Sequence, residues 1–146
     1  MNRVPAIDSL PRPKFRYSPA LEAGPFIKTA GLVGLDRETG ELVTGGAAAE
    51  MECILKNVRA LMADNKLEPS NMVSATIYTT DFENFGAINS VWNSFFPADG
   101  PLPTRTSIGV SALPVGAAVE AEFTFYRSGC EPSRSEQCRN CGKCGA

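Results

Sequence analysis

Histidine is missing from this 146-residue chain. Its absence removes Ser-His-Asp and Cys-His nucleophile systems, His-ligated metals and imidazole acid–base chemistry. Any catalysis here must rest on carboxylates, Arg, Lys, Tyr, thiols, backbone groups or water. An excess of charge is missing too, because 14 Lys and Arg stand against 16 Asp and Glu, for a net charge of -2. Such a chain has no general attraction to phosphate, and a nucleic-acid binder would need a local basic patch. Arg12, Lys14 and Arg16 near the start read as solvated charges rather than that patch. No run reaches the ~18 apolar residues of a membrane span. The opening MNRVPAIDSLPRPKF has three prolines and no apolar stretch of a secretory signal. These absences predict a cytoplasmic protein with neither a membrane nor a nucleic-acid partner.

Cysteine is scarce where a disulfide framework would need it. Cys53 stands alone inside a helical pattern, and Cys130, Cys138, Cys141 and Cys144 crowd the last 17 residues. A framework would spread its thiols through the core. The last three follow a C-x2-C-x2-C spacing. Four thiolates there would suit a tetrahedral zinc site, though the spacing is not that of a zinc ribbon. An Fe–S cluster, redox or intermolecular disulfide use, and an extension with no folded role are the other readings. No metal site is assigned.

The 43% hydrophobic and 21% charged composition is that of a globular domain with a real core. Three regions emerge. Residues 1–14 are a Pro-rich extension, residues 15–128 carry all the periodic pattern, and residues 129–146 form the Cys-rich tail. In the middle region Pro25–Val33 reads as a strand with Gly31 as a bulge or close-approach point. Glu41–Thr44 reads as a short strand. A helix over about Ala47–Lys66 places Cys53, Ile54, Asn57, Val58, Leu61 and Met62 on one face, with Glu50 mostly elsewhere. Its start is capped by Thr44 or a following glycine.

Met72–Tyr78 alternates as a strand with Val73, Ala75 and Ile77 on one face. Asp81 is the expected N-cap of a second helix, Phe82–Phe96. Thr106–Val110 and Val119–Arg127 complete the pattern, the latter with Val119, Ala121, Phe123 and Phe125 inward and Glu120 and Glu122 outward. The order β-β-α-β-α-β-β predicts an α+β layer, two helices covering one face of a sheet. The other sheet face is neither strongly polar nor able to make a core alone, which favours oligomerisation through it.

Arg105 and Glu120 carry the chemistry. Arg105 is the only basic residue between Lys66 and Arg127. A guanidinium in an uncharged stretch suits a carboxylate, because its fork engages two oxygens at once. Glu120, between Val119 and Ala121, is placed to hold a raised pKa and to position water or exchange a proton. Two plainer readings stand beside this: the pair forms a structural ion pair, or Glu120 is the solvent-facing residue of an alternating strand.

Four segments carry a family resemblance. They are AGPFIKTAGLVGLDRETGEL, KNVRALMADNKL with VSATIYTTDFENF, AINSVWNSFF, and PLPTRTSIGVSALPVGAAVEAEF. In this order and spacing the chain resembles the RidA/YjgF family of reactive-intermediate enamine/imine deaminases, from about Ser18 to Arg127. The resemblance implies a chorismate-mutase-like, RidA-type mixed sheet with two helices on one face. It also implies a homotrimer around a central barrel, with ligand clefts between subunits. It maps the carboxylate-binding Arg onto Arg105, the family Glu onto Glu120, an Asn onto Asn89 and the strand Gly onto Gly31. Two departures are read from it: Phe26 in place of a Tyr, and Ser107 in place of a Cys. Both are kept as substrate-binding positions.

The implied activity is hydrolysis of 2-enamino or 2-imino acids, such as 2-iminopropanoate, to 2-keto acids and ammonia. No cofactor is implied, because a protonated imine is already electrophilic. A specialised deaminase of a larger amino-diene acid and a non-catalytic trimer that binds small carboxylates are the alternatives. An endoribonuclease role, a label also attached to parts of this family, is disfavoured by the acidic balance and the lack of His.

Overall fold

The structure, a computed structural model, describes Pro5 and residues 7–127. The Cys-rich tail, with Cys130, Cys138, Cys141 and Cys144, lies outside the described residues. Among the described residues there are six strands and two α-helices: β1 (Ala20–Ala23), β2 (Phe26–Thr29), β3 (Leu32–Val33), α1 (Gly46–Asp64), β4 (Met72–Thr79), α2 (Phe85–Phe95), β5 (Thr104–Gly109) and β6 (Val119–Tyr126). They form one six-stranded sheet in the order β1-β2-β6-β4-β5, with β3 also on β6. All pairs are antiparallel except β4 with β5.

Periodicity builds the core. Along β6 every second residue, Val119, Ala121, Phe123 and Phe125, is buried, as a strand with one covered face requires. Ile54, Val58 and Leu61 of α1 and Ile88 of α2 are fully buried against that face. Each such side chain contributes about 1.5–3 kcal/mol of transfer free energy. The expected α+β layer with two helices on one face is therefore the observed one.

Local differences have local causes. β1 is an additional strand, because its ALEA sequence has low intrinsic strand preference and becomes extended only by pairing with β2. Glu41–Thr44 makes no strand and contributes a single bridge, Leu35 to Leu42. The expected Pro25–Val33 strand is divided into β2 and β3 at Ala30 and Gly31, where the notch at Gly31 falls as expected. Val73 leaves the inward face and is 40% exposed, because the register against β6 shifts between Met72 and Ser74. Gly45, at φ +116°, is the N-cap of α1. Asp81 caps no helix with its side chain. A 3-10 turn over Phe82–Asn84 precedes α2, and the Asp81 carboxylate accepts from Asn84 Nδ2 at 3.0 Å.

Two positions correct the sequence reading in ways that bear on function. Glu50 is not on the solvent side of α1. It is 4% exposed, and its Oε2 accepts the N–H groups of Ala118 (2.8 Å) and Val119 (3.0 Å). It thus satisfies two donors where β6 begins, donors whose loss of a partner costs about 1–3 kcal/mol each, and fixes the strand carrying Glu120. The N-terminal extension also reaches into the domain, because Leu10 is 5% exposed in the core and Ile7 packs beside it.

Candidate functional site

The predicted site residues fall into two separate groups. The first is built on the broken β2–β3 edge. Glu120 pairs with Val33 on one side and Tyr78 on the other, so its side chain leaves the sheet on the face away from the helices. There its carboxyl rests against Gly31. A Cβ at Gly31 would stand 2.7 Å from Glu120 Cδ and closer still to Oε1, so only glycine leaves room for this carboxylate. Burial, and then the neighbouring Glu122, push the Glu120 carboxyl above its ordinary 4.5. Glu122 is in turn bridged by Lys28 Nζ at 3.7 Å.

A cleft of about 310 Å³ opens over this carboxyl. Gly31, Leu32 and Val33 form its floor with Glu120, and Asn57 and Val115 line it as well. Pro11 to Phe15 and Tyr17, from the N-terminal segment, form its outer wall. Val115 adopts φ +54°, an uncommon backbone for a β-branched residue. Tyr17, 50% exposed, lines the cleft as well.

The second group lies on β5 and α2. β5 begins two residues earlier than the sequence suggested, so Arg105 is inside the strand, opposite Ala75. Its side chain therefore emerges on the helix side. Nη1 donates to Asn89 Oδ1 at 2.9 Å. The guanidinium carbon lies 5.3 Å from the Trp92 ring centre and 5.5 Å from that of Phe85. Ring faces and an amide oxygen hold the cation in place, and the rest of its fork is free for an anion. Ser107 is two residues on, on the same face of β5.

The two groups do not meet within one chain. Arg105 and Glu120 project from opposite faces of the sheet. They stand two strands apart, about 10 Å across, and three residues out of level, about another 10 Å. The reading of a structural ion pair between them is thereby overturned for the isolated chain. Phe26 joins neither group. It pairs with Tyr126, ring centres 5.3 Å apart, six residues along β6 from Glu120 and about 20 Å away. The aromatic residue on the Glu120 cleft is Tyr17, which the sequence reading passed over. The signal available for it was the PKFRY run, which places two aromatics among cations just before the first strand.

Among the described residues no three His, Cys, Asp or Glu cluster as a metal site would need. No described helix is long and apolar enough to cross a membrane.

A family described as Endoribonuclease L-PSP matches residues 8–126. The chain belongs to this family, RidA/YjgF. A RutC family protein of Aquifex aeolicus is 37% identical over 117 residues, spanning 80% of this chain and 93% of that one. A mouse protein named 2-iminobutanoate/2-iminopropanoate deaminase is 36% identical over 106 residues, 73% of this chain and 77% of its own length. The crystal structure of RidA from an Antarctic Psychrobacter has a TM-score of 0.78 at 29% identity, covering 85% of this chain and 98% of that chain. The RidA-type fold read from the four sequence segments is the fold observed.

Proposed function

We propose that this RidA-family chain hydrolyses 2-imino and 2-enamino acids to 2-keto acids and ammonia, at sites that each draw on two copies of the chain. One observation carries the reading: a half-buried carboxylate with a raised proton affinity in a small cleft, on the opposite sheet face from a pre-oriented guanidinium. A single small ligand engages both only if Arg105 comes from a neighbouring copy. Three copies packed through the outer sheet face, as the family resemblance implies, would provide this. The outer-face residues Phe26, Ile108 and Tyr126, each 40–45% exposed, would be covered in the process. The domain expected over residues 15–128 then also takes in the packed part of the N-terminal extension around Ile7 and Leu10.

The chemistry follows from the groups. Arg105 pairs with the substrate carboxylate through its fork, and Asn89 and the two rings keep that fork in one orientation. This places the imine carbon over the Glu120 cleft of the adjacent copy. Glu120 accepts a proton from a water as its oxygen attacks the imine carbon, giving a carbinolamine. Glu120 passes that proton to the nitrogen and then takes the proton of the carbinolamine hydroxyl as the C–N bond breaks, so ammonia leaves as the carbonyl forms; that last proton goes from Glu120 to the ammonia, which departs as ammonium. Backbone groups at Gly31 and Ser107 hold the remaining polar atoms. No cofactor is required, because the protonated imine supplies its own electrophile. Positioning of this kind lowers a barrier by up to about 7–11 kcal/mol in ideal cases.

Tyr17 removes one reason for a specialised substrate. The phenol read as lost at Phe26 is available at Tyr17, which leaves Ser107 as the remaining departure. The ribonuclease in the family's description has no support in the composition, with no His and a sequence pI near 5.2.

The test is release of ammonia and 2-keto acid from freshly generated 2-iminopropanoate, with the spontaneous rate subtracted. Acceleration proportional to protein is expected. A rate equal to the spontaneous one, with the keto acid still bound, would replace the deaminase by a carboxylate-binding protein.

A further inference from the structure

The outer wall of the Glu120 cleft is a strap, and it is basic. Its sequence is Pro11-Arg12-Pro13-Lys14-Phe15-Arg16-Tyr17. Both ends are fixed. On one side Leu10 is buried in the core and its N–H donates to Ile7 O at 2.9 Å. On the other, Pro19 O accepts from Ala30 N–H at 2.8 Å and Ala20 is fully buried. Between them Pro11 and Pro13 lock their own φ and bias Leu10 and Arg12 towards extended backbone. Arg12 and Lys14 are therefore held at the cleft by an anchored, stiffened segment, and both line it.

Neither cation is used by the fold. Among the described residues neither Arg12 nor Lys14 has an ion pair or a side-chain hydrogen bond; the salt bridges present are Lys28–Glu122 and Arg127–Glu22. Glu120, in the same cleft, forms an ion pair with neither cation, and both cations are exposed. The cleft is thus lined by a carboxyl, Glu120, and by two cations that are paired neither with it nor with any other described residue.

We propose that Arg12 and Lys14 form a second anion subsite, which selects 2-imino acids whose side chain ends in a carboxylate. The inference rests on the deaminase reading for the word "imino", and on the cleft alone for the anion. The α-carboxylate goes to Arg105 of the neighbouring copy and the imine carbon lies over Glu120. The distal carboxylate then reaches the strap, where the Arg12 fork takes two oxygens and Lys14 adds a point charge. A cleft of about 310 Å³ is at the small end for ligand sites, which suits a four- or five-carbon dicarboxylate.

Calorimetric titration of the full chain with 2-oxoglutarate and with 2-oxobutanoate tests this without turnover. The dicarboxylate is expected to bind about tenfold tighter, the size of effect one exposed charge-assisted contact supplies. Arg12→Ala/Lys14→Ala should bring the ratio to about one, Arg12→Lys/Lys14→Arg should keep most of it, and added salt should shrink it. Equal affinities in the wild type, or a preference that survives Arg12→Ala/Lys14→Ala, would overturn the subsite. A protein that shows the preference but releases no ammonia supports the subsite and removes the deaminase reading instead.

Discussion

Arg105→Ala lowers kcat/KM for 2-iminopropanoate by about 100-fold, the loss expected when a charge-assisted bidentate contact is removed and the substrate is no longer held in register. The two parts of that loss are separable. The substrate carboxylate has the same charge in the ground state and the transition state, so its lost contact appears in KM. The drift of the imine carbon away from the Glu120 cleft appears in kcat. Arg105→Lys recovers only part of the activity, because an ammonium is a point charge and cannot span two carboxylate oxygens. The fold should tolerate both changes, since Arg105 is exposed on an edge strand and its partners are Asn89 and two ring faces rather than a buried charge. Steady-state ammonia release for the three proteins checks the ordering. An Arg105→Ala protein with wild-type KM would exclude Arg105 as the carboxylate receptor.

Glu120→Gln removes the proton acceptor and costs about 10²–10⁴ in kcat, the range for general acid–base groups, while KM changes little. It also gains thermal stability at neutral pH, and the sign can be worked out. Burial and Glu122 raise the Glu120 pKa in the folded chain, so the fold binds that proton more tightly than the unfolded chain does. The resulting stabilisation is complete below the unfolded pKa and is lost as pH rises through the higher folded pKa. At neutral pH the wild type therefore carries an unfavourable charge that the amide lacks, and the difference closes as pH falls to about 4. The gain is small, because Glu120 is only half-buried. Melting curves across pH, paired with rates, separate this from a general disruption: a variant that loses both activity and stability at neutral pH would contradict it.

How much of this was legible depends on what each residue answers to. Periodicity announces α1, α2, β4 and β6, because one face of each is buried and the pattern of apolar residues has to follow. It also places Glu120 on the outward face of β6, where it is found. The face of Arg105 was not legible. It depends on the parallel register that sets Arg105 opposite Ala75, a long-range pairing that no local pattern records. The two-residue error at the start of β5 hid it further. Glu50 looked like a solvent charge because its partners, two N–H groups at the start of β6, are 68 and 69 residues away in sequence. Tyr17 was missed for a similar reason: its segment has no periodicity, and only the anchoring of Leu10 and Pro19 brings it over the cleft. Phe26 was drawn into the site by a short motif and placed elsewhere by the β1–β2 hairpin.

In the proposed assembly each site takes Arg105 from one copy and Glu120 from another. Mixing the two inactive proteins tests it most directly. Arg105→Ala and Glu120→Gln chains, unfolded together and refolded at equal amounts, are compared with each refolded alone. If sites are shared between copies, random assembly leaves about one site in four with both groups intact, and ammonia release returns to about a quarter of the wild-type rate. If the mixture contains mixed assemblies and stays at the background of the separate variants, the two-copy site is wrong.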